Sequence, residues 1–160
     1  MADIEPAPHV HRTRRVGNRV GMTVVTLVVS AGLVGLLGAG PLSTVTSPSE
    51  SGTLAVTHDR VTHHEATESI TVDVTATAAG AEALTVTFAG AWPQSIAVEG
   101  ISPEPATQAL SRDGWTLGFD VDQPGPHRVT VYYRAKSHGS LDATVTVGDE
   151  SVAFSQFVLP

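Results

Sequence analysis

The chain contains no cysteine at all. Disulfides, thiolate nucleophiles, zinc–thiolate centres and lipid anchors on cysteine are therefore excluded, and whatever holds the fold together is packing and hydrogen bonding. Aromatic residues make up only 5% of the sequence. Basic residues are scarce beyond the N-terminal region: Arg60, Arg112, Arg128, Arg134 and Lys136 face a clear excess of acidic side chains, and the formal net charge is −7. An acidic surface repels phosphates, so nucleic acid is not an expected partner. No GxSxG elbow and no phosphate-cradling glycine loop is found, and a serine nucleophile would need a histidine and a carboxylate brought to it by the fold. The chain is therefore read as a non-enzyme without a cofactor.

A long uncharged stretch is present. Arg12, Arg14, Arg15 and Arg19 precede a run from Val20 to Ser49 without a charged side chain, densest between Met22 and Gly40. A helix over 22–40 would rise about 28 Å, close to the hydrocarbon thickness of a bilayer. The expectation is one N-terminal transmembrane helix with the arginines on the cytoplasmic side by the positive-inside bias. A cleaved signal peptide is the competing reading; the long leader and Pro41 after Gly38 and Gly40 favour retention. Ala31, Gly35 and Ala39 recur at intervals of four, a spacing that suits helix packing in lipid.

This divides the chain into a cytoplasmic basic tail (1–21), a transmembrane helix (22–40), a Pro/Ser linker (41–52) and an extracytoplasmic domain (53–160). The cell membrane is the expected location, with the chain crossing it once.

The last part alternates with period two. Ile70, Val72 and Val74, then Leu84, Val86 and Phe88, then Trp115, Leu117 and Phe119, then Val129, Val131 and Tyr133, then Leu141, Ala143 and Val145 each mark a half-buried strand. Turn residues fall between them at Asp113-Gly114, Pro124-Gly125 and Gly148-Asp149. The pattern predicts an all-β, antiparallel β-sandwich of immunoglobulin-like type with about eight strands, with one helical turn near Ala106–Leu110.

Candidate sites are sparse. His58, His63 and Glu65 are the densest potential metal ligands, although the spacing constrains no geometry and a solvated strand edge is the simpler reading. Asp120 and Asp122 are too few oxygens for calcium and read as turn residues. Trp92, beside Pro93 and off the alternating pattern, either caps one end of the sandwich or offers a partner contact.

Two segments carry a resemblance. Gly38–Ser43 (GAGPLS) and Phe154–Pro160 (FSQFVLP) are similar to the helix exit and C-terminal end of an uncharacterised bacterial family of small single-pass membrane proteins, with Leu159 departing from the usual tyrosine. The resemblance implies a membrane protein partner and no activity. On this reading the chain is a non-enzymatic, membrane-anchored accessory or interaction protein, docking on a membrane partner or self-associating through its transmembrane helix. The alternatives are an extracytoplasmic ligand or metal sensor and, less favoured, an anchored hydrolase.

Overall fold

A computed structural model of the chain describes residues 9–33, 43–75, 83–121 and 125–160. Helix α1 spans His9–Leu33. It starts upstream of the arginines, so charge and apolar surface are divided along its axis. About 14 residues lie between Arg19 and the last described residue of the helix, a rise of about 21 Å where a bilayer core needs about 30 Å. Among the described residues no helix is long and apolar enough to cross a membrane. The transmembrane expectation is thereby overturned, and with it the single-pass topology, the cell-membrane location, the helix-mediated self-association and the resemblance to single-pass proteins. Gly35 and Ala39 lie outside the described residues, so of the expected packing row only Ala31 has a described backbone, in α1.

Eleven strands follow among the described residues: β1 Thr44–Pro48, β2 Leu54–Asp59, β3 Val61–His63, β4 Thr67–Val74, β5 Ala83–Gly90, β6 Ile96–Ser102, β7 Thr107–Leu110, β8 Trp115–Asp120, β9 His127–Ala135, β10 Gly139–Val147 and β11 Glu150–Leu159. They form two sheets, a five-stranded one in the order β1-β2-β4-β9-β6 and a six-stranded one in the order β3-β11-β10-β5-β8-β7. The sandwich expectation stands; the strand count and the membrane-spanning character of the helix in front of it do not. Three strands account for the difference. Strand β1 lies inside the stretch read as a linker, pairing Thr44–Pro48 with Ala55–Asp59. Strand β3 is short and pairs in parallel with Phe157–Leu159, so the sandwich is not wholly antiparallel. Strand β7 replaces the expected helical turn.

The period-two pattern builds the core directly. Inward-facing Val56, Ile70, Val72, Val129 and Val131 of one sheet meet Val86, Phe88, Leu117 and Val145 of the other, all essentially solvent-free. Each such side chain contributes about 1.5–3 kcal/mol by leaving water. Trp92, the proposed partner contact, is fully buried in a 3-10 turn, Trp92–Gln94. Its indole sits 5.4 Å from the Phe88 ring, 4.9 Å from Tyr133 and 5.8 Å from Phe154, bridging the sheets. A large aromatic that touches both layers is a core element, which rules out the outward role considered for it.

The outer face of the five-stranded sheet carries threonines in register. Thr46 and Thr57 share a hydrogen bond of 2.8 Å, and Thr71 and Thr130 one of 3.3 Å. Ion pairs Arg128–Asp73 and Arg134–Glu99 lie on the same face. These are exposed pairs and contribute little.

Candidate functional site

The chemically richest corner lies where β1, the edge of one sheet, approaches β11 of the other. Strand β2 brings His58 to its inner face, because Leu54, Val56 and His58 point the same way along an extended chain. The imidazole packs on Phe154 with ring centroids 4.8 Å apart, and its Nδ1 lies 3.1 Å from the Asp59 carbonyl oxygen. Burial pushes its pKa below the ordinary histidine value, and the Asp59 carbonyl and carboxylate pull only partly the other way.

Beneath this corner sits a polar brace inside the core. Gln156 continues the inward face of β11 after Val152 and Phe154 and is fully buried. The Tyr133 hydroxyl donates to Gln156 Oε1 at 2.8 Å, and Gln156 Nε2 donates to the Asp59 carbonyl at 3.0 Å. Each polar atom of the Gln156 amide is therefore engaged, as a buried amide requires. Burial raises the Tyr133 phenol to about 12. The brace links β9, β11 and the end of β2, and so holds the corner in one shape.

Arg60 follows β2 directly. Its backbone N–H donates to the Ser43 carbonyl at 2.9 Å, and its carbonyl accepts from the Phe157 N–H at 2.8 Å. The backbone of Arg60 thus ties the start of β1 to β11. Its guanidinium is exposed and makes no ion pair or side-chain hydrogen bond among the described residues.

Together these elements border a cleft of about 500 Å³. Val45 and Ser47 of β1 form one wall, Ser140, Ser155 and Phe157 the other, with His58 and Phe154 at the floor and Arg60 at one end. Phe157 is 49% exposed, unusual for a phenylalanine in a strand. The Ser140 and Ser155 hydroxyls lie 3.1 Å apart and bond to each other. A shallower trough of about 680 Å³ continues from Ala153–Ser155 over the outer face of the six-stranded sheet towards Ala89 and Asp142. Gly90 in that trough has φ +107°, and a Cβ there would meet the Asp142 carbonyl oxygen at 2.6 Å, so the backbones cross where only glycine fits.

The comparisons give this corner no name. No protein-family model matches the chain, and no curated protein matches it. Solved structures similar in outline do occur, and one of them is a cohesin module from a family 33 glycoside hydrolase of Clostridium perfringens ATCC13124, at a TM-score of 0.44 and 10% identity, covering 72% of this chain and 98% of that one. At that level the likeness carries nothing about residues or activity.

The suggested metal ligands are not brought together. His58 faces the core, His63 is exposed at the end of β3, and Glu65 stands in the following turn with φ +60°. Among the described residues no group of three or more histidines and carboxylates could hold a metal ion. Asp120 ends β8 as an exposed residue, and Asp122 lies outside the described residues. Sequence reasoning missed a ring pair, His64 with His138 at 4.4 Å, which joins two turns that lie far apart in the chain. It also missed Gln156 and Arg60. The signal for Gln156 was present, because a polar residue at an inward position of an alternating run must be hydrogen-bonded if it is buried.

Proposed function

We propose that the β-sandwich is a non-catalytic binding module that receives its ligand in the cleft between β1 and β11. The observation that carries this reading is a guanidinium, Arg60, without an ion pair among the described residues, beside an exposed phenylalanine, Phe157, over a floor braced by Gln156. Binding sites of this kind combine apolar area with a few convergent polar groups held in place by their surroundings. Hydrolysis is a poorer fit: the His58 imidazole is turned to the Asp59 carbonyl, and the serine hydroxyls of the cleft are bonded to one another. The anchored accessory role set out from the sequence is withdrawn together with its membrane helix.

Two-dimensional NMR of the full chain against small carboxylates, aromatic acids and short peptides tests the reading. Perturbations confined to Val45, His58, Arg60, Ser155 and Phe157, weakened in Arg60→Gln, are expected. Binders that all map elsewhere, or the same affinity in Arg60→Gln, would contradict it.

A further inference from the structure

The cleft contains a length of unpaired strand edge. Strand β11 pairs with β10 from Glu150 to Val158. On its other side β3 covers only Phe157–Leu159. The next tie in that direction is the Phe157 N–H to the Arg60 carbonyl. Among the described residues no strand pairs with Ser151–Ser155 on the side away from β10. That stretch is five residues long, a run of about 17 Å, and alternate backbone groups along it point into the cleft. Ser151, Ala153 and Ser155 are exposed.

Strand β3 shows what the lane accepts, since it lies in it already and runs parallel to β11. Arg60 immediately precedes β3, so its guanidinium stands where the occupied part of the lane gives way to the open part. A second strand lying upstream in the same lane and running in the same direction would end at Arg60. Its last atoms would then be a C-terminal carboxylate facing a guanidinium that has no ion pair among the described residues, in an acidic domain. An antiparallel occupant would bring a cationic amine there instead. Charge complementarity therefore selects both direction and end group.

We infer that the cleft binds the C-terminal tail of an extended peptide by strand addition to the free edge of β11, parallel to it, with the peptide's terminal carboxylate on Arg60. Main-chain hydrogen bonds to Ser151–Ser155 would supply affinity, and ligand side chains would lie between Val45 on one wall and Phe157 on the other. The assignment rests on the cleft being the binding site, and deepens that reading by naming the ligand's chemistry.

The test uses the full chain and four probes followed by NMR: an acetylated threonine-valine-threonine-valine peptide with a free carboxyl end, its C-terminal amide, the free acid with alternate amides N-methylated, and benzoate. The free acid should bind at the cleft about tenfold tighter than the amide, as expected for loss of a charge-assisted hydrogen bond. N-methylation on the β11-facing amides should cost at least as much. Arg60→Gln, whose side chain is exposed and whose backbone ties are kept, should make acid and amide equal. Equal binding of acid and amide to the unaltered chain would overturn the inference. So would N-methylated peptide binding as well as the parent, or benzoate perturbing the same residues as strongly as the peptide; in these cases the cleft remains a binding site of another kind. A concentration-dependent dimer with its contact at Ser151–Ser155 would assign the lane to a second copy and also overturn it. No response of Val45, Arg60 or Ser155 to any probe would remove both the inference and the reading beneath it.

Discussion

Replacing Gln156 by leucine probes the brace beneath the cleft. Leucine fills nearly the same volume, so little cavity is created, but the Tyr133 hydroxyl and the Asp59 carbonyl each lose a partner. A buried polar group left without a partner costs about 1–3 kcal/mol. The Asp59 carbonyl keeps its contact with His58 Nδ1, which places its share at the lower end. The expected loss is about 2–4 kcal/mol, a fall in Tm of roughly 8–16 °C for a domain of this size. Tyr133→Phe orphans only Gln156 Oε1 and should cost about 1–2 kcal/mol. The double variant leaves fewer orphans than the two single changes together, so its cost should fall short of their sum by about 1 kcal/mol or more. Urea unfolding of the three variants of the full chain measures each term. A Gln156→Leu variant within about 0.5 kcal/mol of the parent, or strict additivity in the double variant, would refute the brace.

Other outcomes follow from the same structure. Trp92→Ala should cost about 3–5 kcal/mol in urea unfolding, because the indole is buried against Phe88, Tyr133 and Phe154; a surface contact would cost almost nothing. The Tyr133 phenol, raised to about 12 from 10.0, remains protonated in the folded state after it ionises in the unfolded chain, so stability should fall as pH rises through that window. In Tyr133→Phe the alkaline slope should flatten, as read by denaturation at stepped pH. His58 has its pKa lowered by burial, so the stability it contributes is complete above 6.5 and is lost as pH falls below that value. His58→Gln should therefore lose stability less steeply than the parent between pH 6.5 and 5, measured by the same unfolding curves. Gly90→Ala should destabilise by more than about 1 kcal/mol, since both its φ and the Asp142 carbonyl oppose a Cβ.

The parts of this fold that were legible in the sequence are those in which two faces differ in chemistry. Strands β4, β5, β8, β9 and β10 alternate apolar with polar residues, and their inward sets are the core found in the structure. Strand β1 was not legible because its inward residues are Val45 and Ser47 and it ends at Pro48, which in composition is indistinguishable from a spacer. Strand β7 hides for a related reason: as an edge strand it buries none of its four residues, so no face is selected. Local sequence also could not show that Trp92 crosses between sheets, since its neighbours Phe88, Tyr133 and Phe154 come from three different strands. The helix begins earlier than the apolar run from Val20 suggests: the described helix starts at His9 and holds arginines as well as valines.

The candidate site was the least legible element. His58 was singled out for its imidazole, and the structure places it at the cleft floor, packed on Phe154. Arg60 owes its interest to having no ion pair among the described residues, and that is invisible along the chain. The free edge of β11 depends on β3 being only three residues long and on lying beside it in parallel.

Amide hydrogen exchange along β11 in the unliganded full chain tests the central claim most directly. If the cleft holds an open strand edge, amides between Ser151 and Ser155 that face β10 will be strongly protected, and those that face the cleft will exchange at rates near those of an unfolded chain. Uniform protection of all of them would mean that the edge is already covered, and would contradict the account of the cleft.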